Sequence, residues 1–206
     1  KLEACKSGEY IKELRLDIDY FYSSFQLRAI NTLKLIQDTL RDNKKPIRAW
    51  QLNERHYGAL TGLNKDQMKE KLGEKKIQEY RRSWDIKPDP LSRNNPYHPL
   101  NIDIYKKIPK EKIPDTESLK DTYERVMGYY NSDIQNKLFK QKNIVIAAHG
   151  NSIRALCKFL FKLDNKKVSL LEIPTGNPLV VNLDSKLKII DCKYLNKDRA
   201  KDLIVF

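Results

Sequence analysis

The chain has 206 residues, 40% hydrophobic and 33% charged, and its 40 Lys and Arg against 27 Asp and Glu give a formal net charge of +13. That length suits one α/β domain with a buried core, and the longest apolar runs, such as Ile144 to Ala148, are far too short to cross a bilayer. Three scattered cysteines without a C-x-x-C pair argue against a disulfide framework or a cysteine zinc site, and neither glycine-rich nucleotide loop nor H-E-x-x-H is present.

Leu2 to about Leu14 reads as a helix without a start signal, so the sequence opens in mid-element. It shows no signal peptide, and a cytoplasmic protein is expected. Ile18 to Ser24, aromatic and short, predicts a strand. Leu27, Ile30, Leu33, Ile36 and Leu40 recur at helical spacing, which predicts a helix from about Gln26 to Arg41. Pro46 to Leu52 is a second expected strand. Asn64 and Gln67 form a capping-box pattern, which predicts a helix broken near Gly73 and ending around Arg82. Six prolines between Pro88 and Pro114 preclude a regular element, and such an excursion suits a lid or binding loop. A long amphipathic helix follows, opening near Asp115-Thr116 and marked by Leu119, Tyr123, Val126, Tyr130, Ile134 and Leu138. Asn143 to Ala148 predicts a strand buried on both faces, then a helix from Ile153 to Phe161, and Leu179 to Leu183 and Leu187 to Ile190 predict two closing strands. The alternation implies an α/β fold, a three-layer sandwich with a mostly parallel central sheet flanked by helices.

Ligands of such sheets sit beyond the carboxyl ends of the strands. Three polar clusters fall at such ends: Ser24 to Arg28, Asn53 to Tyr57, and His149 to Ser152. His149-Gly150-Asn151-Ser152 places an imidazole at the tip of a strand, with the free N–H groups of the next helix facing the same space, which suits an anion. The plain alternative is a strand-end histidine bonded to a backbone carbonyl. Glu54, if partly desolvated, could serve as acid and base near neutrality; the alternative is a loop glutamate paired with Arg55. His56 is expected to be structural and His98 solvent-exposed. Arg28 opens a helix at a strand end, within reach of a phosphate. The Arg81-Arg82 pair offers two forks for carboxylate or phosphate, or two helix-end cations facing solvent. Lys65 stands at a helix start, where a cation hints at an external anion.

These strings resemble those of the cofactor-dependent phosphoglycerate mutases of the histidine phosphatase superfamily. The matching stretches are Leu27 to Thr32, Leu52-Asn53-Glu54-Arg55-His56-Tyr57-Gly58, Leu60 to Lys65, Arg81 to Asp85, Glu117 to Thr122, Ala147 to Arg154 and Ile173 to Gly176, in the family's order and spacing. The resemblance implies interconversion of 3-phosphoglycerate and 2-phosphoglycerate through a phosphohistidine, primed by 2,3-bisphosphoglycerate, without a metal. It implies Glu54 as the acid/base and His149 as stabiliser of the transferring phosphoryl group. Arg28 with the Gly150 and Asn151 backbone would bind that group, while Tyr57, Lys65, Arg81 and Arg82 would hold the carboxylate and second phosphate.

The family's nucleophile lies in an Arg-His-Gly-Glu string, and none is present. The chain is therefore expected to be a single mutase-like domain, residues 1 to 206, lacking its first strand and the following loop, roughly two to three dozen residues. Gln51 stands where the family usually has a basic residue, and the stretch after Cys192 does not align. The resemblance further implies a homodimer or homotetramer without a membrane partner. A bisphosphoglycerate mutase or phosphatase of the same fold is the first alternative. A noncatalytic anion- or nucleic-acid-binding module is the second, although the lysines are dispersed among acids and nucleic acid is not the expected partner.

Overall fold

Side chains alternate across a strand, and two neighbours in the first strand show how the layers form. Phe21 packs with Ile11, Ile18, Leu33 and Ile36 on one face, whereas Tyr22 packs with Val126, Tyr130, Ile134 and Ala155 on the other. The computed structural model describes residues 1–200, with the side chains of Lys65, Lys71, Arg81 and Arg82 outside the described residues. Helices α1 (Leu2–Glu13) and α2 (Leu27–Leu40) cover the Phe21 face. The Tyr22 face is covered by α5 (Leu119–Tyr129), which runs through a π-helical turn at Tyr130–Ile134 into α6 (Gln135–Phe139), and by α7 (Gly150–Leu160).

The sheet between these layers has the order β2 (Ile47–Arg48), β1 (Tyr20–Ser23), β3 (Ile144–Ala147), all parallel. Ser23 pairs with Ala147 and with Arg48, so all three strands end at one edge. A hairpin, β4 (Leu179–Leu183) and β5 (Ile189–Tyr194), forms a separate antiparallel pair. Between β2 and α5 stand α3 (Lys65–Leu72) and α4 (Glu74–Arg82), split at Gly73 with φ +76°. The capping box is in place: Asn64 Oδ1 accepts from Gln67 N at 2.8 Å and Gln67 Oε1 from Asn64 N at 3.0 Å. A short helix α8 (Asn165–Leu170), capped by Asp164, was not foreseen from the periodicity.

Three expectations are corrected. The strand expected over Pro46 to Leu52 stops at Arg48 and becomes a 3₁₀ turn at Trp50–Leu52. Arg125 Nη1 takes the carbonyls of Gln51 (2.7 Å) and Trp50 (3.3 Å), so they are not offered to a ladder. Ile144, Val145 and Ile146 are half-buried rather than fully buried, although both faces of β3 are covered, Ile144 and Ile146 packing on the Tyr22 side and Val145 on the Phe21 side. His98 is not exposed; it is 0% accessible. Its Nδ1 accepts from Leu100 N at 3.1 Å, leaving Nε2 to donate to Asp115 Oδ1 at 3.1 Å. Proline at the start of the turn Pro99–Asn101 lets the imidazole cap it. The surrounding excursion forms three such turns, and Tyr105, Ile108 and Ile113 pack as a small core against Phe25 and Trp50.

Candidate active site

The parallel register brings the three polar clusters to one edge, where hydrogen bonds join them. Ser24, fully buried beyond β1, has its Oγ 2.8 Å from His149 Nε2 beyond β3, and also accepts from Gln26 N at 3.1 Å. Phe25 N donates to Asn53 Oδ1 at 2.9 Å, and Asn53 Nδ2 donates to Tyr105 Oη at 2.8 Å. Glu54 N donates to Gln26 Oε1 at 3.3 Å. The Glu54 carboxylate turns toward the start of α7, where its Oε1 accepts from Asn151 Nδ2 at 2.8 Å and Asn151 N at 3.3 Å. Asn151 Nδ2 also donates to Tyr57 Oη at 3.0 Å. Glu54, Tyr57, His149, Gly150 and Asn151 thus form one cluster.

One detail departs from expectation. The N–H groups at the start of α7 are not all free, because Asn151 N points at Glu54. The carboxylate occupies the favourable end of the helix dipole, where an external anion was expected to bind.

His149 is 5% exposed. Burial lowers its pKa to about 4; the Glu54 charge opposes this, and the Arg28 and Arg125 cations reinforce it. The imidazole is therefore neutral near pH 7 and offers one N–H and one lone pair. Arg28 lies in the first turn of α2 with its side chain exposed, close enough for its charge to act on His149.

A buried ionic network holds the Glu54 segment from behind. Glu117, 2% exposed, takes Arg125 on both oxygens, Nε at 2.7 Å and Nη2 at 2.8 Å. Its Oε2 also accepts from His56 N at 2.9 Å and lies 2.8 Å from His56 Nδ1. Burial alone would raise the Glu117 pKa, but the Arg125 charge and the His56 and Arg125 hydrogen bonds hold it well below the carboxylate range. Both Arg125 terminal nitrogens also reach the Asn53 carbonyl at 3.4 Å. Gly58 closes the segment at φ +54°; a Cβ there would stand 2.1 Å from the Asp89 carbonyl oxygen, so only glycine fits.

His56 bonds through its main-chain N and Nδ1 to Glu117. Lys65 opens α3 and Arg81 and Arg82 end α4, but their side chains lie outside the described residues. Ser24 lay in one of the three clusters and Glu117 in a matching stretch, but sequence reasoning gave no individual role to Ser24, Glu117 or Arg125. For Arg125 a signal existed: it sits beside Val126 on a helix whose Leu119, Thr122 and Val126 are buried, and a cation adjoining such a face asks for a carboxylate. Among the described residues no group of three His, Cys, Asp or Glu side chains is placed to hold a metal ion.

The pattern defining the histidine phosphatase superfamily (branch 1) matches residues 1–98 and 93–194. The chain belongs to that superfamily. Among curated members of the histidine phosphatase superfamily, it is 78% identical to the 2,3-bisphosphoglycerate-dependent phosphoglycerate mutase of Pelagibacter ubique, over all of this chain and 87% of that one. It is 40% identical to the protein of the same name from Maricaulis maris, over 98% of this chain and 84% of that one. Solved structures share the superfamily fold at low identity. A mycobacterial glucosyl-3-phosphoglycerate phosphatase superposes with a TM-score of 0.65 at 16% identity, covering 94% of this chain and 82% of that one. A phosphoglycerate mutase from Bacillus anthracis superposes with a TM-score of 0.53 at 19% identity, covering 80% and 67%.

Proposed function

We propose that this chain interconverts 3-phosphoglycerate and 2-phosphoglycerate by phosphoryl transfer primed by 2,3-bisphosphoglycerate, in glycolysis and gluconeogenesis. Identity of 78% along the whole chain to a protein named for that activity supports it. The observation that carries it is the Glu54 carboxylate held on Asn151 beside a buried, neutral His149. Phosphoryl transfer is mostly positioning and charge stabilisation; Glu54 and His149 serve the first, and Arg28 with the N–H groups opening α7 serves the second.

Glu54 takes the proton of the substrate hydroxyl as its oxygen attacks phosphorus, and returns a proton in the reverse direction. His149 donates an N–H to a phosphoryl oxygen. Arg28 and the Gly150 and Asn151 N–H groups hold the same phosphoryl group, once Glu54 yields the Asn151 N–H. Tyr57, Lys65, Arg81 and Arg82 bind the carboxylate and the second phosphate. The resemblance puts the phosphorylated histidine in its Arg-His-Gly-Glu string and matches none of the three histidines of this sequence to it; His56 and His98 are bonded to Glu117 and Asp115. A homodimer or homotetramer in the cytoplasm follows from that resemblance alone.

Glu54→Gln, made in the complete protein with its Arg-His-Gly-Glu string, is the test. Glutamine keeps an oxygen for Asn151 but cannot accept the proton, so turnover should fall at least ~100-fold while 3-phosphoglycerate binding is retained. Unchanged turnover removes Glu54 from the chemistry, and a wild-type enzyme that does not interconvert the two phosphoglycerates removes the proposal.

A further inference from the structure

Arg55 is a buried cation to which the proposed chemistry gives no role. It is 2% exposed. Its Nη2 donates to the Tyr80 carbonyl oxygen in the last turn of α4. Its guanidinium carbon lies 4.6 Å from the centre of the Tyr57 ring. Its main-chain N–H donates to Glu54 Oε1 at 2.8 Å. Nε and Nη1 meet no acceptor among the described residues.

A desolvated guanidinium with two unmet donors contributes little net stability, and an apolar side chain of similar length would pack about as well. What an apolar chain cannot do is bind the Tyr80 carbonyl, one of those a helix leaves without a partner in its last turn. Nor can it hold the Tyr57 ring as a cation over its face. Helix α4 has few other attachments: of its described side chains only Ile77 and Tyr80 are buried.

We propose that Arg55 is a positioning residue, a clasp that fixes the Tyr57 ring and the end of α4, where Arg81 and Arg82 stand, against the Glu54 segment. The clasp thereby sets affinity for the substrate's carboxylate and outer phosphate; the identity of that ligand rests on the proposed function, whereas the clasp itself does not.

The experiment compares the wild type with Arg55→Met and Arg55→Lys by thermal unfolding, amide hydrogen exchange and calorimetric binding of 3-phosphoglycerate. Arg55→Met should unfold at nearly the wild-type temperature, exchange faster across residues 74–82 but not in β1 or β3, and bind about tenfold more weakly. Arg55→Lys should restore part of the protection, since an ammonium can reach the carbonyl but has no flat face to lay on the ring. With Tyr57, Arg81 and Arg82 all replaced by alanine, Arg55→Met should cost no further affinity. Unchanged exchange over 74–82 overturns the clasp, as does a further loss of affinity in the alanine background. Should Arg55→Met fail to fold, wild-type exchange and affinity in Arg55→Lys would overturn it equally. A wild type that does not bind 3-phosphoglycerate would sink the proposed activity, and the exchange comparison would still decide the clasp.

Discussion

Replacing Arg125 by methionine keeps most of the side-chain length and removes the charge that Glu117 needs. Glu117 would then lie 2% exposed with only the His56 N–H groups for partners. The carbonyls of Gln51 and Asn53 would lose their donor. Breaking one side of a buried ion pair costs about 3–5 kcal/mol. For a chain of this size each kcal/mol moves the unfolding midpoint by roughly 2–4 °C, so the variant should melt on the order of 10 °C lower. The sign with pH is also fixed. Glu117's folded pKa lies below its ordinary value, so in the wild type its contribution is present above the usual carboxylate range and is lost as the pH falls. In Arg125→Met a protonated, neutral Glu117 is the cheaper buried form, so the deficit should shrink on acidification. Pairing Arg125→Met with Glu117→Leu should recover part of the loss, because no buried charge is left. Urea unfolding between pH 7.5 and 4.5 checks all three. A deficit below about 1 kcal/mol, within the range of exposed pairs, would refute the claim that this network holds the Glu54 segment.

Two further outcomes are expected. Burial lowers the His149 pKa from 6.5 to about 4, so the unfolded chain binds the proton more readily; this group's contribution is complete above about pH 6.5 and declines toward pH 4. His149→Gln should flatten the stability profile in that window, and a profile parallel to the wild type would contradict the burial argument. His98→Ala leaves Leu100 N and Asp115 without their imidazole partner and should cost about 2–3 kcal/mol in chemical denaturation; a change under about 0.5 kcal/mol, as at an exposed site, would contradict its burial.

Most helices were legible because burying one face imposes a spacing that shows in the sequence. Leu27 to Leu40 declared α2, and Asn64 with Gln67 declared the start of α3 through a local capping exchange. Strand ends were less legible. Pro46 to Leu52 has strand composition throughout, yet an arginine 74 residues away from Gln51 takes its carbonyl and turns the chain. His98 was misjudged for a related reason: polar and proline-rich surroundings suggest solvent, whereas its burial depends on Asp115 and on the packing of Tyr105, Ile108 and Ile113 nearby.

The chemical types gathered at the site were local information. A glutamate after an apolar strand and a histidine and asparagine opening a helix were visible in Asn53 to Gly58 and His149 to Ser152, as was the family to which those strings belong. Their mutual placement was not local. Parallel pairing of β1 with β3 brings Ser24 to His149, and the buried Glu117–Arg125 pair fixes the loop that aims Glu54 at Asn151. Side-chain spacing encodes which face of an element is buried, because that is settled within a few turns. The residue a polar group meets across the sheet depends on register and on contacts over 100 residues apart, so only the folded chain could decide it.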